Sequence, residues 1–236
     1  MDDREARRKA YEQRLEGDVR IGATGPRDVD RWKQTLAFLP RDVESVLDCG
    51  CDVGHWLHYV CRHRRLARCT GVDIAENRIA EARRLYPHIE FRAGYAEELL
   101  QLGEAFDAVT SLEVLEHIPE WEQVLRAMLQ LARKVVLVTV PYKEEIVQTA
   151  CIHCGRLTPL YGHLRRYDET SFKAEPGWRL EFGYILNRGV DEPTVIRRIY
   201  RRLFPRRSWL VARYTRVRSP DERRPPAPPD AARSSG

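Results

Sequence analysis

The stretch Val46-Leu47-Asp48-Cys49-Gly50-Cys51-Asp52-Val53-Gly54, followed about one strand–helix–strand unit later by Gly71-Val72-Asp73-Ile74, constrains this chain more than any other part of it. A short apolar run ends in a carboxylate and passes into a glycine-containing loop. A second apolar run then ends in another acid. Open α/β sheets build nucleoside sites in this way: the glycines let backbone approach the ligand, and the second acid takes the ribose hydroxyls. A dinucleotide fold calls for G-x-G-x-x-G, whereas this loop reads D-x-G-x-D-x-G. Its leading acid suits a ligand with a cationic amino group and a sulfonium, not a pyrophosphate.

The hydrophobic periodicity supports the same architecture. Val43–Cys49, Ala67–Asp73, Ile89–Ala93, Phe106–Ser111 and Val135–Val140 read as strands, the last a β-branched run expected of a strand buried on both faces. His55–His63 and Glu76–Tyr86 read as helices, and Trp121, Val124, Leu125, Met128 and Leu129 mark another at helical spacing. Alternating strands and helices predict a doubly wound, mainly parallel α/β sheet. Upstream, residues 1–16 have weak helical periodicity. Residues 21–26 form a loop by their breakers, and Trp32, Leu36 and Leu39 share a helical face that Pro40 ends. After Pro141 the regularity lapses. Arg179–Leu186 and Trp209–Val217 then read as two strands flanking a basic helix near Thr194–Phe204. The expected organisation is an N-terminal helical segment over 1–40, one domain over 41–218 with an insert at 142–172, and a disordered tail over 219–236, rich in Pro, Ala, Arg and Ser.

No apolar run approaches the length of a membrane span, and the charged N-terminus has no signal-like core, so the expectation is a cytoplasmic protein without a membrane partner. Six cysteines in such a chain read as thiols or metal ligands, not a disulfide framework. The formal charge of +5 is unevenly spread: residues 197–236 hold 12 Arg against three acids, and the rest of the chain is net acidic. That end reads as a solvated Arg-rich helix face and tail, which makes a nucleic-acid partner the lesser reading.

The first loop resembles motif I of the class I S-adenosylmethionine (SAM) methyltransferases, in particular the small-molecule type 11/12-like enzymes. The resemblance extends over roughly residues 42–172. Asp73 stands 23 positions after Gly50, where that family has its ribose-binding acid, and Phe106-Asp107-Ala108-Val109 leading to Val114-Leu115-Glu116-His117-Ile118 resembles the family's strand-four segment. The resemblance implies a seven-stranded Rossmann-like sheet ending in a late hairpin. It also implies SAM as cofactor, held by Asp48, Gly50, Cys51, Gly54, Asp73, Ile74, Tyr95, Ala96 and Glu113. Asp48 would meet the methionine ammonium or orient the loop, and Asp73 would accept both ribose hydroxyls. Two positions depart from the family pattern. Asp52 replaces a glycine, at a place where Asp tolerates left-handed backbone, and Tyr95 replaces the acid that normally faces the adenine.

His117 falls at the carboxyl edge of the sheet and His163 in the insert; both are candidates to remove a proton from a substrate hydroxyl, His163 first. Similar G-H-x-R-x-[YF] segments occur in bacterial methyltransferases that resemble this chain, so His163, Arg165, Arg166 and Tyr167 are expected to face the acceptor. Cys151-x-x-Cys154 is half of a zinc ribbon, and a structural zinc on Cys151 and Cys154 is a possibility set beside two free thiols. The expected function is methyl transfer from SAM to a hydroxyl of a small molecule, a sugar or a secondary metabolite. That chemistry needs no metal. A non-catalytic methyltransferase-like binding module and an RNA methyltransferase using the Arg-rich end are the alternatives. The segment after strand four lacks the Asn/Asp-Pro-Pro pattern of DNA amino-methylation and the Pro-Cys of cytosine chemistry.

Overall fold

The computed structural model describes residues 3–17, 25–150 and 155–217. Residues 21–24 of the expected loop, the Cys151 and Cys154 pair and the tail from 219 lie outside these residues. In chain order the elements are α1 (Asp3–Gly17), α2 (Pro26–Leu36), β1 (Ser45–Cys49), α3 (His55–His63), β2 (Arg68–Asp73), α4 (Glu76–Leu85) and β3 (Glu90–Ala93). There follow β4 (Phe106–Leu112), α5 (Trp121–Leu131), β5 (Ala132–Pro141), β6 (Gln148–Ala150), β7 (Leu157–Pro159), β8 (Trp178–Asn187), α6 (Val195–Leu203) and β9 (Arg206–Arg216). Two short strands, β6 and β7, pair as a hairpin inside the stretch that the sequence leaves irregular.

Seven strands form one sheet in the order β3-β2-β1-β4-β5-β9-β8. The first five are parallel, and β9 runs antiparallel to both β5 and β8. The sheet is covered on both faces, and the alternation along its strands divides the core. Val46, Ala108 and Val135 pack with Trp56, Leu57 and Ile79 on the side of α3 and α4. Their neighbours Leu47, Val109 and Val136 pack with Leu125 and Met128 of α5 on the other. Successive side chains of a strand point to opposite faces, so an uninterrupted apolar run is what a doubly covered strand requires. Each fully buried Val or Leu contributes about 1.5–3 kcal/mol.

Gly54 differs from its expected role. It does not line the ligand cavity described below; it precedes α3 with φ +82°, and a Cβ there would stand 2.5 Å from Cζ of Phe91. Phe91 is itself buried against Leu57 and Ile79, so its ring has no room to retreat. Backbone strain and the overlap act together, so Gly54→Ala is expected to destabilise the fold by about 2–5 kcal/mol, read as a lower urea midpoint at unchanged slope.

Candidate functional site

The chain lays β1, β2 and β3 outward on one side and β4 and β5 on the other. The carboxyl ends of β1 and β4 therefore meet where the strand order reverses, which is where open α/β sheets bind ligands. A cavity of about 480 Å³ lies there. The first loop forms its floor. Gly50, at φ +77°, admits no side chain, because a Cβ would lie 2.3 Å from Cγ2 of Val114. Asp52 follows at φ +51°, with its carboxylate paired to Arg78. Cys51 lines the cavity, and burial pushes its thiol well above the ordinary range, so it is no nucleophile.

Asp48 lies beneath the loop, 2 % exposed, and its Oδ1 accepts from Thr110 Oγ1 at 2.6 Å. Trp56 Nε1 donates to the same hydroxyl at 3.3 Å. Burial pushes the Asp48 carboxyl up to about 7; the Thr110 bond works against this and the nearby Asp73 charge adds to it. Asp73 accepts the backbone N–H of Asp52 at 2.9 Å on Oδ2 and that of Ala75 at 3.0 Å on Oδ1. Its pKa too is raised by burial, against the pull of those two bonds. Each oxygen keeps a further lone pair, and both Asp73 and Ile74 line the cavity. Bracing the loop and facing a ligand are thus compatible roles for one carboxylate.

After β3, Ala96 and Glu97 reach the cavity and Tyr95 does not. The Tyr95 hydroxyl donates to Glu5 at 3.4 Å, and the Arg4 guanidinium lies 5.3 Å from its ring. The residue expected to face the adenine instead fastens α1 to the body. Arg7 and Tyr11 of α1, with Asp28, Arg31 and Trp32 of α2, complete the cavity wall, and no local motif announces them. Six carboxylates (Asp28, Asp48, Asp52, Asp73, Glu97, Glu113) face three guanidiniums (Arg7, Arg31, Arg78) in this wall, a surplus that favours a cationic ligand.

The segment after β4 carries the second half of the site. Glu113 sits at φ +61°, an unusual conformation for a side-chain-bearing residue. Its Oε1 accepts from Thr139 Oγ1 at 3.1 Å and its Oε2 from Trp209 Nε1 at 2.6 Å. Burial raises its pKa, opposed chiefly by Arg31. His117 lines the cavity; His163 does not, but the centroids of the two rings are 4.8 Å apart. His117 Nδ1 lies 3.1 Å from the Gly162 carbonyl, and His163 Nδ1 bonds the Glu144 carboxylate. Both partners only accept, so in the neutral rings Nδ1 carries the proton and Nε2 holds the lone pair.

Beside these rings, Glu116 is fully buried, and neither of its carboxylate oxygens has a hydrogen-bond partner. Burial first, and then the charge of Glu113, push its pKa well up. One ligand atom each from Glu116, His117 and His163 lies within 4.8 Å of the others. A buried, unpartnered carboxylate is costly. With two imidazole nitrogens it makes a donor set for a divalent cation, and an Nδ1–H donated to a carbonyl or carboxylate is how metal-binding histidines are oriented. In the E-x-x-E-H segment the resemblance gives Glu113 and His117 a role, and the fold singles out Glu116 as well.

Arg165, Arg166 and Tyr167 do not reach the cavity. Arg165 donates to the carbonyls of Leu115 at 3.2 Å, Ile118 at 2.5 Å and Pro119 at 2.9 Å. Tyr167 is buried and its hydroxyl donates to the Leu115 carbonyl at 3.1 Å. Both side chains hold the backbone that presents Glu116 and His117, in place of the acceptor contact expected of them. Arg166 is exposed.

The chain matches the family described as a methyltransferase domain over residues 22–175. It is 35% identical over 96 residues to a ubiquinone biosynthesis O-methyltransferase of Pseudomonas fluorescens, an overlap covering 38% of this chain and 40% of that protein. It is 32% identical over 117 residues to the protein of the same name from Rhizobium leguminosarum, covering 48% and 46%. The match thus spans less than half the length of these curated relatives. Among solved structures, magnesium protoporphyrin IX methyltransferase from Synechocystis with bound SAM superposes with a TM-score of 0.61 at 17% identity, covering 92% of this chain and 98% of that one. That likeness is one of fold.

The buried acid of β1 has a consequence for stability. Asp48 ionises near 3.8 when unfolded and near 7 in the fold, so the native state holds its proton more tightly. Stability therefore falls as pH rises from about 4 to about 7, and the whole cost is present above that range. Asp48→Asn should unfold at a higher temperature than wild type at pH 8 and lose this advantage at pH 4, as followed by thermal denaturation.

Proposed function

Because this chain belongs to the methyltransferase-domain family of SAM-dependent enzymes, we propose that it transfers a methyl group from SAM to a hydroxyl of a small molecule. The observation that carries this reading is the pair of buried carboxylates, Asp48 and Asp73, at the carboxyl edge of β1 and β2. Both face one cavity, both are pushed up by burial, and the Asp73 charge adds to the rise at Asp48. The acid-rich wall fits a ligand with an ammonium and a sulfonium, and the lone pairs left on Asp73 fit a pair of ribose hydroxyls. When bound, SAM supplies the electrophilic methyl group.

The chain's own contribution is position and charge. Gly50 and Asp52 shape the loop so that its backbone approaches the ligand without side chains in the way. Trp32, Val114 and Ile118 exclude water from the cavity wall, and alignment of acceptor with methyl group supplies much of the rate. Glu116, His117 and His163 would hold a divalent cation beside that cavity, and its Lewis acidity would ease loss of the acceptor's proton near neutral pH. In this reading the two histidines serve as ligands, with Glu144 and the Gly162 carbonyl as their orienting partners. The reading favours an acceptor that presents oxygen ligands to the cation, a class that includes sugars and many secondary metabolites. The names of the O-methyltransferase relatives are consistent with transfer to oxygen.

Calorimetric titration of SAM and S-adenosylhomocysteine tests the cofactor half. Asp73→Asn is expected to weaken both by about 10- to 100-fold, and absence of binding to the wild type would favour the non-catalytic binding module. The acceptor half is tested by metal. Purified protein should take up one equivalent of manganese, cobalt or zinc, and Glu116→Gln should reduce that affinity by at least about tenfold. Turnover that survives chelation undiminished would overturn the metal and return His117 to the role of general base.

A further inference from the structure

Among the described residues, helix α6 is built unlike any other helix. At about 100° per residue, Val195, Ile196, Ile199, Tyr200 and Leu203 fall within one arc of about 140°, and Arg197, Arg198, Arg201 and Arg202 fill the opposite side. An amphipathic helix of a folded domain turns its apolar stripe inward. Here the stripe faces solvent: Ile196 is 81 % exposed and Leu203 67 %, and Phe204, just past the helix, is 62 % exposed. Arg201 is the one residue of α6 that is not exposed. It lies against Gly189 and pairs with Glu192. Arg197, Arg198, Arg202 and Arg206 have no acidic partner among the described residues.

We propose that α6 docks the protein on an anionic membrane surface, with its apolar stripe in the headgroup boundary and its arginines among the lipid phosphates and carboxylates. Two features of the helix must be satisfied at once, and this occupant satisfies both. A nucleic acid would meet the arginines and leave the stripe in water. A second copy packed stripe to stripe would cover the apolar side chains and leave both sets of arginines on the outer faces without an anionic partner. An anionic lipid surface takes both the charge and the apolar area, which is how short basic amphipathic helices bind membranes. Nine residues are too few to cross a bilayer, and no helix among the described residues is long and apolar enough to do so. The helix therefore lies on the surface.

Its location gives docking a direction. α6 joins the end of β8 to the start of β9, where Asn187 faces Arg206, and β9 then passes Trp209 opposite Pro141 at the carboxyl end of β5. Trp209 bonds Glu113 of the cavity wall. The docking helix and the cavity thus share one edge of the sheet.

Sedimentation of the full chain with phosphatidylcholine vesicles, with and without phosphatidylserine, tests the proposal and needs no methyl transfer. Binding is expected only with phosphatidylserine, and it should weaken as salt is raised. The variant Arg197→Gln/Arg198→Gln should lose about fivefold in partition per arginine. Ile196→Ser/Leu203→Ser should lose about tenfold or more, while melting at the wild-type temperature because these side chains are exposed. Wild type that stays in solution at low salt would overturn the proposal, as would variants that bind like wild type. Dimers in sedimentation velocity that Ile196→Ser/Leu203→Ser dissociates would overturn it in favour of self-association. RNA binding undisturbed by that variant, with no vesicle binding, would overturn it in favour of nucleic acid.

Discussion

The Asp73 carboxylate joins the parts on which the site depends. One oxygen accepts the Asp52 N–H and so fixes the loop after β1; the other accepts the Ala75 N–H and so fixes the turn into α4. The same loop is tied to β2 by its own backbone, since the N–H groups of Gly50 and Cys51 both reach the Val72 carbonyl, at 2.8 and 3.0 Å. Without that pair of carboxylate bonds, the left-handed residues Gly50 and Asp52 would be a flexible turn instead of a floor. The group that braces the floor is also a ligand-facing acid, so binding and architecture draw on one carboxylate that is already raised in pKa by burial. Functional sites commonly keep such groups at the expense of stability.

Much of the fold was legible because local signals and tertiary demands agree along most of the chain. A run such as Val135–Val140 has only one use in a covered sheet, and α3 falls where Trp56 and Val60 set its period. The loop acids were legible for the same reason: spacing from Gly50 to Asp73 is imposed by one βαβ unit. The rest of the site was not, because its residues come from elements that no motif links to it. Arg31 and Trp32 lie in α2, whose period announces a buried face and nothing about a cavity. Tyr95 and Tyr167 look like ligand-facing aromatics in a sequence, yet one anchors α1 and the other fills the core. A polar or aromatic residue near a motif has many packing uses, and only the three-dimensional neighbours decide among them.

Glu116 shows the converse. Its sequence neighbours include Glu113 and His117, to which the resemblance gives roles, while Glu116 stands in the same segment without one. What distinguishes it is physical: complete burial, two unpartnered oxygens, and an imidazole pair whose protons already point elsewhere. Arg165 and Tyr167, donating to the carbonyls on either side, hold this segment in place, so side chains expected at the acceptor act on it from behind.

The cavity is enclosed by two kinds of contact that respond differently to their surroundings. Its floor rests on buried hydrogen bonds to Asp73 and Asp48. Its outer wall includes α1, which is fastened to the body by Arg4–Glu98, Arg7–Glu97 and Arg8–Glu76, pairs that remain partly open to solvent. Exposed ion pairs are screened within a Debye length of about 8 Å at physiological ionic strength, and buried bonds are screened far less. Rising salt is therefore expected to weaken the outer ties of α1, Arg4–Glu98 and Arg8–Glu76, before the buried bonds of the floor.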